Sequence, residues 1–351
     1  MRPLLKPALR PVWRDEQTLQ LGVDPDRAVV IAGLDPARAR LVEALDGSLD
    51  ETGVQREGQR LGLTAGDTDE LLAVLVGAGA VDDAAADPGA LRRLPLSERD
   101  RLAPDLAALS VAHAAPDGAL GLLAARRGAV VAVHGAGRVG APLAALLASA
   151  GVGHVLVVDS GDVRPRDLAP GGHRGDVLGR PRQAAALAAA RSVAPATQGE
   201  LPGDRVHPDV VVLAGESPAD PIVLGELVRN GVDHLVVELR EASAVVGPLV
   251  LPGRSSCRRC HDLQRSERDP MWPRIAAQLA LGRPTAIASC DVSLAALVAA
   301  TAALQVLAHV DGGAPPPSVD GTLELRLPGG EVRRRSWTRH PACGCGWPHR
   351  S

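Results

Sequence analysis

The chain has 351 residues, of which 46% are hydrophobic and 23% charged, and its formal net charge at pH 7 is −3. This composition is close to that of an average globular protein, which excludes a wholly disordered or collagen-like chain, and the length predicts two or three domains. The negative net charge argues against a protein that coats nucleic acid without sequence preference.

The N-terminal region, residues 1–84, predicts a small domain of two strands and three helices. The strands are predicted at 18–22 and 27–32, on either side of a turn rich in Asp and Pro. The helices, in which apolar residues recur at helical spacing, are predicted at 37–45, 51–61 and 64–79. This size and element content predict a winged helix.

The segment 85–127 is predicted as a linker or adaptor, because Asp, Pro and Arg interrupt its apolar pattern. A short strand is predicted within it at 109–113. No export signal is expected, since prolines and charges break up the N-terminus. The apolar stretch 286–310 contains polar residues such as Asp291 and Gln305, and we expect a buried helix there, not a membrane span. We therefore expect a cytoplasmic protein.

The remaining chain, residues 128–351, predicts a second domain. A continuous apolar run at 130–133 is typical of a strand buried on both faces, and the glycine turn G-A-G-R-V-G follows it at 135–140. Strands are expected at 154–158, 209–213 and 235–239, and helices after the glycine turn and at 182–193 and 222–230. This alternation predicts an α/β fold with a Rossmann-like, doubly wound and mostly parallel sheet.

The C-terminal part departs from this alternation. It predicts a strand at 245–251, an irregular charged region at 262–285, and an apolar helix at 293–309. A hairpin is expected from the strands 322–327 and 331–337. We expect a metal ion to clamp this β region, because the region contains two cysteine pairs, which are described below.

The glycine turn predicts a nucleotide-binding site. Gly135 permits a tight turn, Gly137 lets the backbone approach a phosphate, and Gly140 allows close packing of helix and strand. Asp159, at the end of the next strand, is placed to accept hydrogen bonds from ribose hydroxyls. The alternative is a turn of this type that no longer binds a ligand.

Four of the five cysteines form two close pairs, C-x-x-C at Cys257 and Cys260 and C-x-C at Cys343 and Cys345. Two such pairs supply the four thiolates of a structural Zn²⁺ site. A closed site of four thiolates leaves no open position, so this metal would stabilise the fold and would not catalyse a reaction. Unliganded or redox-active cysteines are the alternative.

The run VAVHGAGRVGAPLAALLASAGVGHVLVVDSGDV, together with LVLPGRSSCRRCHDL and the later C-x-C, resembles the ThiF/MoeB-type adenylyltransferases. These are relatives of the ubiquitin-like-modifier-activating enzymes, and the resemblance covers roughly 128–351. It implies that ATP and Mg²⁺ bind at the glycine turn and that the carboxylate of a peptide or small protein is adenylated. It also implies a homodimer. The implied cofactor-binding residues are Gly135, Gly137, Arg138, Gly140, Asp159 and Asp162.

Two replacements relative to the family pattern keep the charge that the pattern requires. Arg182 stands where the family has a phosphate-binding Lys, and Arg can still grip phosphate. Glu216 stands where the family has a magnesium-binding Asp, and Glu can still ligate Mg²⁺. The resemblance therefore assigns catalytic roles to Arg182 and Glu216.

Other replacements remove groups that catalysis uses. Gly161 replaces the second Asp of the family's Asp-x-Asp, with Asp162 beside it, and Asp167 and Pro170 stand in the places of an Asn and an Arg. Because electrostatic stabilisation of the transferring phosphate is a large term, these changes predict weakened adenylation. The alternative is a degenerate scaffold that presents a precursor peptide to a partner cyclodehydratase.

Cys290 is a third residue to which the resemblance gives a catalytic role, since some relatives use a cysteine nucleophile. Its neighbour Asp291 would raise the pKa of its thiol. A packed core cysteine is the alternative that this environment favours.

The stretch LGVDPDRAVVIAGL, with ARLVEALDG and LLAVLVGAGAVDD, resembles the PqqD-like peptide-recognition module of ribosomal-peptide maturation systems, among them azole, azoline and bacteriocin biosynthesis. The resemblance implies that a leader peptide is added as a strand or lies in a groove. A purely structural role and DNA binding remain alternatives, and the acidic helices disfavour DNA. The expected partners are a precursor peptide or small carrier protein and a modifying enzyme.

Overall fold

The computed structural model describes residues 1–87, 89–203, 205–216, 218–281 and 288–345. The chain divides into two compact units, Met1–Ala124 and Ala125–Ser351. In chain order, the elements of the first unit are β1 (Pro3–Leu5), β2 (Pro11–Asp15), β3 (Thr18–Leu21), β4 (Val29–Ile31), α1 (Pro36–Glu43), α2 (Glu51–Arg60), α3 (Ala65–Gly77), β5 (Val81–Asp83), α4 (Gly89–Arg92) and α5 (Leu96–Ala112). Helix α6 (Leu120–Gly128) crosses the division.

The first unit contains two small antiparallel sheets, β2-β3-β4 and β1-β5. The predicted strands correspond to β3 and β4, and the predicted helices to α1, α2 and α3. Local signals explain these helices, because Asp35 caps α1 with Pro36 in its first turn, and Thr64 and Asp67 form a capping box at α3. The sequence pattern missed β1, β2 and β5. Strand β2 is exposed along its whole length, so it shows no alternation of apolar and polar residues.

The segment expected as a linker or adaptor contains α4, α5 and most of α6. The strand predicted at 109–113 is wrong, because these residues belong to α5 and the turn after it. A buried ion pair ties α5 to the strands. Lys6, the single lysine of the chain, contacts Asp82 and the Ser110 hydroxyl and donates to the Ala115 carbonyl at 2.7 Å. Apolar spacing gives no signal for such a contact.

The second unit is built on one seven-stranded sheet. Its further elements are β6 (Val130–His134), α7 (Gly140–Ser149), β7 (His154–Val158), α8 (Arg182–Val193), β8 (Val210–Leu213), α9 (Pro221–Arg229), β9 (Asp233–Leu239), β10 (Ser243–Val250), α10 (Arg258–Arg268), α11 (Trp272–Leu281), α12 (Val292–Asp311), β11 (Gly321–Arg326) and β12 (Glu331–Ser336). The strand order is β12-β11-β10-β9-β8-β6-β7. Strands β6 to β9 are mutually parallel, and β10, β11 and β12 are added antiparallel. The predicted α/β fold with a large sheet is thus confirmed.

The core lies on both faces of this sheet. Alternate residues of the buried strands, such as Val131 and Val133, pack against α7, α8 and α12. The intervening residues, such as Ala132 and Val211, pack against α9. By length and composition α12 could cross a membrane, but half of its most apolar window is buried in the protein, and it packs in the core of this unit. It is a core helix, and the fold does not indicate a membrane protein.

The prediction of an irregular region at 262–285 is wrong for its described part, which contains the end of α10 and the whole of α11. Helix α10 buries only Cys260 and His261, and charged residues dominate its sequence RRCHDLQRSER. It therefore lacks the apolar stripe from which helices are recognised.

The strand order also indicates where on the sheet a ligand can bind. The chain passes from β6 to β7 on one side and later returns to β8 on the other side of β6. Ligands of open parallel sheets bind at such a switch point, beyond the carboxyl ends of the strands. The glycine turn follows β6 and therefore lies at this point.

Candidate functional site

The glycine turn between β6 and α7 is too crowded for side chains at two positions. Gly135 has φ +95° and lies against the Ala214 backbone, where an added Cβ would be 2.8 Å from the carbonyl oxygen. At Gly140 a Cβ would be 1.8 Å from the Gly135 carbonyl oxygen. The lack of side chains at Gly135 and Gly140 allows the backbone to pack closely here. Gly137 faces the open side of the turn, near Glu216.

Asp159, expected beside a ribose, closes the turn in this structure. One carboxylate oxygen accepts a hydrogen bond from the Ala136 backbone N–H at 2.8 Å, and the other accepts from the Gly161 N–H at 2.7 Å. The side chain is nearly buried. Asp162 is exposed and lines no part of the cavity described below. The structure therefore brings Asp159 to the glycine turn and does not bring Asp162 there.

Arg182, the first residue of α8, connects three carboxylates. Its Nε lies 3.1 Å from Asp159, and its Nη1 lies 3.1 Å from Glu216 and 3.6 Å from Asp167. One guanidinium is thus shared among three carboxylates. Such a cluster attracts a further cation, and carboxylate oxygens are the ligands that Mg²⁺ prefers.

A cavity of about 320 Å³ opens beside this cluster. Gly137, Arg138, Glu216 and Cys290 line it, and so does Arg166, which the sequence analysis missed. Arg138 donates to the Cys290 carbonyl at 2.9 Å, while its buried Nε has no hydrogen-bond partner among the described residues. Two guanidinium groups at the wall of a small cavity suit an anionic ligand such as phosphate.

Cys290 lies at the edge of this cavity and packs partly against the core. Burial raises the pKa of its thiol, more than the nearby Arg138 lowers it, and Asp291 raises it further. The neutral thiol is therefore the dominant form at pH 7, and a thiol is a poor nucleophile compared with a thiolate.

Two histidines near the turn differ in environment. His173 is buried, and its Nε2 lies 2.6 Å from the Ala136 carbonyl oxygen, to which it must donate because a carbonyl only accepts. His173 thereby supports the glycine turn from the loop after β7. His134 ends β6, and burial lowers the pKa of its imidazole. Spacing in the sequence gives no sign of the contact between His173 and Ala136.

The four paired cysteines come together at the start of α10. Their Sγ atoms all lie within 4.8 Å of one another, with 3.8 Å between Cys257 and Cys260, 3.4 Å between Cys257 and Cys343, and 3.5 Å between Cys260 and Cys345. A tetrahedral Zn²⁺ with Zn–S bonds of about 2.3 Å requires S–S distances of about 3.8 Å. The geometry and the four sulfur donors fit this metal.

Ionisation within the cysteine cluster is uneven. A hydrogen bond from Cys257 lowers the pKa of Cys260 to about 4, whereas burial and the neighbouring Cys260 raise the pKa of Cys345 to about 12. Without a cation, the cluster therefore favours one thiolate over several. A divalent metal reverses this preference, because it stabilises every ligating thiolate.

An aromatic cluster adjoins the cysteines. The His261 ring stacks on Trp337 with 4.2 Å between centroids, and Arg265 lies over the rings of Trp272 and Trp337. Burial lowers the pKa of His261 to about 3, so its imidazole is neutral. The chain has no Phe or Tyr and four Trp residues, and this cluster contains two of those four.

Comparison with known proteins shows the family to which the second unit belongs. The model of the ThiF family matches residues 116–346. Among curated proteins no match is found. Solved structures of similar fold include E. coli MccB with AMPCPP and MccA (TM-score 0.71, 15% identity, 99% of this chain and 100% of that chain) and E. coli MccB with ATP (TM-score 0.71, 14% identity, the same coverage). PaaA is a third, with a TM-score of 0.71 and 15% identity over 95% of this chain and 99% of that chain.

Proposed function

Because the chain belongs to the ThiF family, we propose that it binds ATP and Mg²⁺ at the glycine turn and adenylates the C-terminal carboxylate of a peptide or small protein. The observation that supports this most is the small cavity beside Gly137, with Arg138 and Arg166 for phosphate and Glu216 for the metal. MccB, whose fold this chain shares over nearly its whole length, is described as a biosynthetic enzyme of microcin C7 and has been solved with ATP and with MccA.

In the proposed reaction, a carboxylate oxygen of the peptide bonds to the α-phosphorus of ATP and pyrophosphate leaves. Negative charge develops on the phosphate oxygens, and cations fixed in advance stabilise it. Arg138, Arg166 and Arg182 are the three guanidinium groups that we assign to this task. Gly135, Gly137 and Gly140 let the backbone approach the phosphates, and Asp159 would exchange its bond to Arg182 for the ribose hydroxyls. We assign Asp162 to the same nucleotide, which it would contact from outside the cavity.

Zinc is the metal that we assign to Cys257, Cys260, Cys343 and Cys345. Four thiolates close the coordination sphere, so the ion would clamp the end of β10 to the C-terminal segment and would have no catalytic role. Cys290 is not part of this set. We retain it as a nucleophile only in a minor alternative, because its thiol is neutral at pH 7.

For the first unit we propose a PqqD-like winged helix that recognises a precursor peptide. The exposed strand β2 lies at the edge of the β2-β3-β4 sheet, where a peptide could add as a further strand. Acidic side chains on α2 and α3, such as Glu57 and Asp69, disfavour DNA. With this role we propose a cytoplasmic homodimer that acts beside a peptide-modifying enzyme in bacteriocin-type maturation.

A second candidate function is a scaffold that binds the peptide without activating it. The observation in its favour is that Arg182 already pairs with Asp159, Asp167 and Glu216, so that ATP has to compete for it. Pro170 also supplies no charge in the loop after β7. Such a scaffold would present the precursor peptide to a partner cyclodehydratase.

ATP–pyrophosphate exchange separates the two candidates. The purified full-length protein is incubated with ATP, Mg²⁺, labelled pyrophosphate and a pool of synthetic octapeptides with free C-terminal carboxylates. If the protein is an adenylating enzyme, we expect exchange with this pool and no exchange when the same peptides carry C-terminal amides. No exchange with either pool, in a protein that still binds the peptides, contradicts the enzyme and supports the scaffold.

A further inference from the structure

One hydrogen bond joins the loop after β7 to the backbone of the glycine turn. His173 is 2% exposed, and its Nε2 donates to the Ala136 carbonyl oxygen at 2.6 Å. Ala136 is the second residue of the turn, and its side chain has no polar group, so the bond is made to a peptide group. A bond of this kind fixes the direction in which that peptide group faces.

The backbone of Ala136 is held on both sides. Its N–H donates to the Asp159 carboxylate at 2.8 Å, and its carbonyl accepts from His173. The N–H and C=O of a trans peptide point in opposite directions. The Gly135 carbonyl therefore faces away from Asp159, and it lies against Gly140, where an added Cβ would be 1.8 Å from its oxygen.

The same rule orients the peptide group between Ala136 and Gly137. This peptide is trans, and its carbonyl points at His173, so the Gly137 N–H points away from His173. Gly137 lines the small cavity of the nucleotide site, whereas His173 does not. Among the described residues this N–H has no hydrogen-bond acceptor, so it can donate to a ligand.

The direction of this peptide group decides whether it attracts or repels an anion. A peptide N–H carries a partial positive charge that stabilises phosphate oxygens, and a carbonyl oxygen carries a partial negative charge that repels them. Half a turn of the peptide would direct the Ala136 carbonyl away from His173 and toward the side on which Gly137 lines the cavity. That rotation would break the bond to His173, so the ring holds the peptide in the orientation that suits phosphate.

Two glycines bring His173 to this position. Gly171 has φ +74°, which favours glycine, and an added Cβ at Gly172 would be 2.8 Å from the ring of Pro142 in the first turn of α7. Within the loop, the Gly172 N–H donates to the Ala169 carbonyl at 3.0 Å, and the Ala169 N–H donates to the His173 carbonyl at 3.4 Å. The loop is therefore tied to itself and packed against α7, which fixes the ring.

The second ring nitrogen of His173 makes no hydrogen bond. Nδ1 is buried and has no partner among the described residues. An unpaired polar atom in the interior lowers stability, and an apolar side chain would pack here without that cost. Packing alone therefore does not account for a histidine at this position, and the bond to the Ala136 carbonyl does.

We propose that His173 is a positioning residue for the nucleotide, which holds the peptide between Ala136 and Gly137 with its N–H toward the phosphates of ATP. It acts through the backbone and touches neither the substrate nor the reacting atoms. The inference rests on the proposed function, because ATP is the ligand whose phosphates the N–H would meet. It adds a residue that is neither a glycine of the turn nor a charged group of the cavity.

Calorimetric titration of the full-length protein with ATP and with adenosine, both in the presence of Mg²⁺, tests this role. His173→Gln keeps an N–H near the place of Nε2, whereas the shorter side chain of His173→Asn ends near the place of Nδ1. We expect ATP affinity within about threefold of the wild-type value in His173→Gln and weaker by about tenfold or more in His173→Asn. Adenosine affinity should be the same in all three proteins, because adenosine has no phosphate.

Two controls separate this role from a structural one. A histidine that only supports the fold would change the affinities for ATP and adenosine alike, and thermal unfolding followed by circular dichroism checks that the Gln and Asn variants are equally folded. His154→Leu is the matched variant. His154 also contacts a backbone carbonyl, that of Glu200 at 3.0 Å, but it lies at the start of β7, whereas the nucleotide site lies at the strand ends. It should leave both affinities unchanged.

Each outcome decides between the positioning role and the proposed function. Equal ATP affinity of His173→Asn and the wild-type protein overturns the positioning role and leaves the proposed function intact. Equal losses for ATP and adenosine also overturn it. A folded wild-type protein that does not bind ATP rejects both. Loss of ATP affinity in His173→Asn alone, in a protein without pyrophosphate exchange, retains the positioning role and rejects the adenylating enzyme.

Discussion

The cysteine cluster and the glycine turn lie in the same unit, but they differ in how far contacts within the protein already balance their charged groups. The ionisation of the four cysteines is mutually opposed, so a bound metal ion is needed to stabilise several thiolates at once. At the glycine turn, Arg182 and the backbone already occupy the oxygens of Asp159. A ligand therefore completes the first site and has to displace contacts in the second.

The largest effect is expected from the cluster. Cys260→Ser removes one of four ligands, and loss of the metal should lower the Tm by about 10 °C, because structural zinc contributes directly to folding free energy. Calorimetry and metal analysis check this, with one zinc per chain expected in the wild-type protein. Cys290→Ser is the matched control and should keep both metal and Tm. A wild-type protein without zinc, or a Cys260→Ser protein of unchanged Tm, would contradict the assignment.

The next effect concerns the backbone of the glycine turn. Gly140→Ala places a methyl group 1.8 Å from the Gly135 carbonyl oxygen, so the turn must open, at a cost above about 3 kcal/mol in free energy of unfolding. Gly225→Ala, in an uncrowded position of α9, should be neutral or stabilising by up to about 1 kcal/mol. Denaturant titration measures both. Equal stabilities of the two variants would show that the turn is not packed as described.

A smaller effect is expected at the paired charges. Arg182→Met leaves Asp159, Asp167 and Glu216 without their shared cation and should destabilise the protein by about 1–3 kcal/mol. ATP affinity should fall at least tenfold, and Arg182→Lys should restore part of it. Equal affinity of ATP for Arg182→Met and for the wild-type protein would show that Arg182 pairs with the three carboxylates and does not bind ATP.

The smallest effect is expected from Cys290→Ser, which should change pyrophosphate exchange less than twofold. Burial raises the pKa of the thiol, so its thiolate fraction is low at pH 7 and increases only as the pH rises above the ordinary cysteine value of about 8.5. Iodoacetamide should therefore label this residue slowly at pH 7 and faster at high pH. Rapid labelling at pH 7 together with loss of exchange in the serine variant would make Cys290 a nucleophile.

The sequence was sufficient where one local pattern determines the structure. Buried strands beside the glycine turn form apolar runs, and the helices after them have caps or apolar faces, so the order of elements from β6 to α9 could be predicted. The two cysteine pairs likewise predicted a common site from spacing alone. Helix α10, with its charged surface, and strand β2, exposed throughout, gave no periodic signal.

The contacts that distinguish this site could not be predicted, because they join residues distant in the chain. Arg182 meets Asp159 and Glu216 only because β7 and β8 flank β6 in the folded sheet. His173 and Arg166 come from a loop whose path apolar spacing does not determine.

Calorimetric titration of the wild-type protein with ATP in the presence of Mg²⁺ tests the central claim most directly. A site at the glycine turn predicts saturable heat with one nucleotide per chain, abolished by Gly140→Ala and weakened by Arg182→Met. Absence of heat with ATP in a folded, zinc-containing protein would contradict nucleotide binding and leave this unit without the role proposed for it.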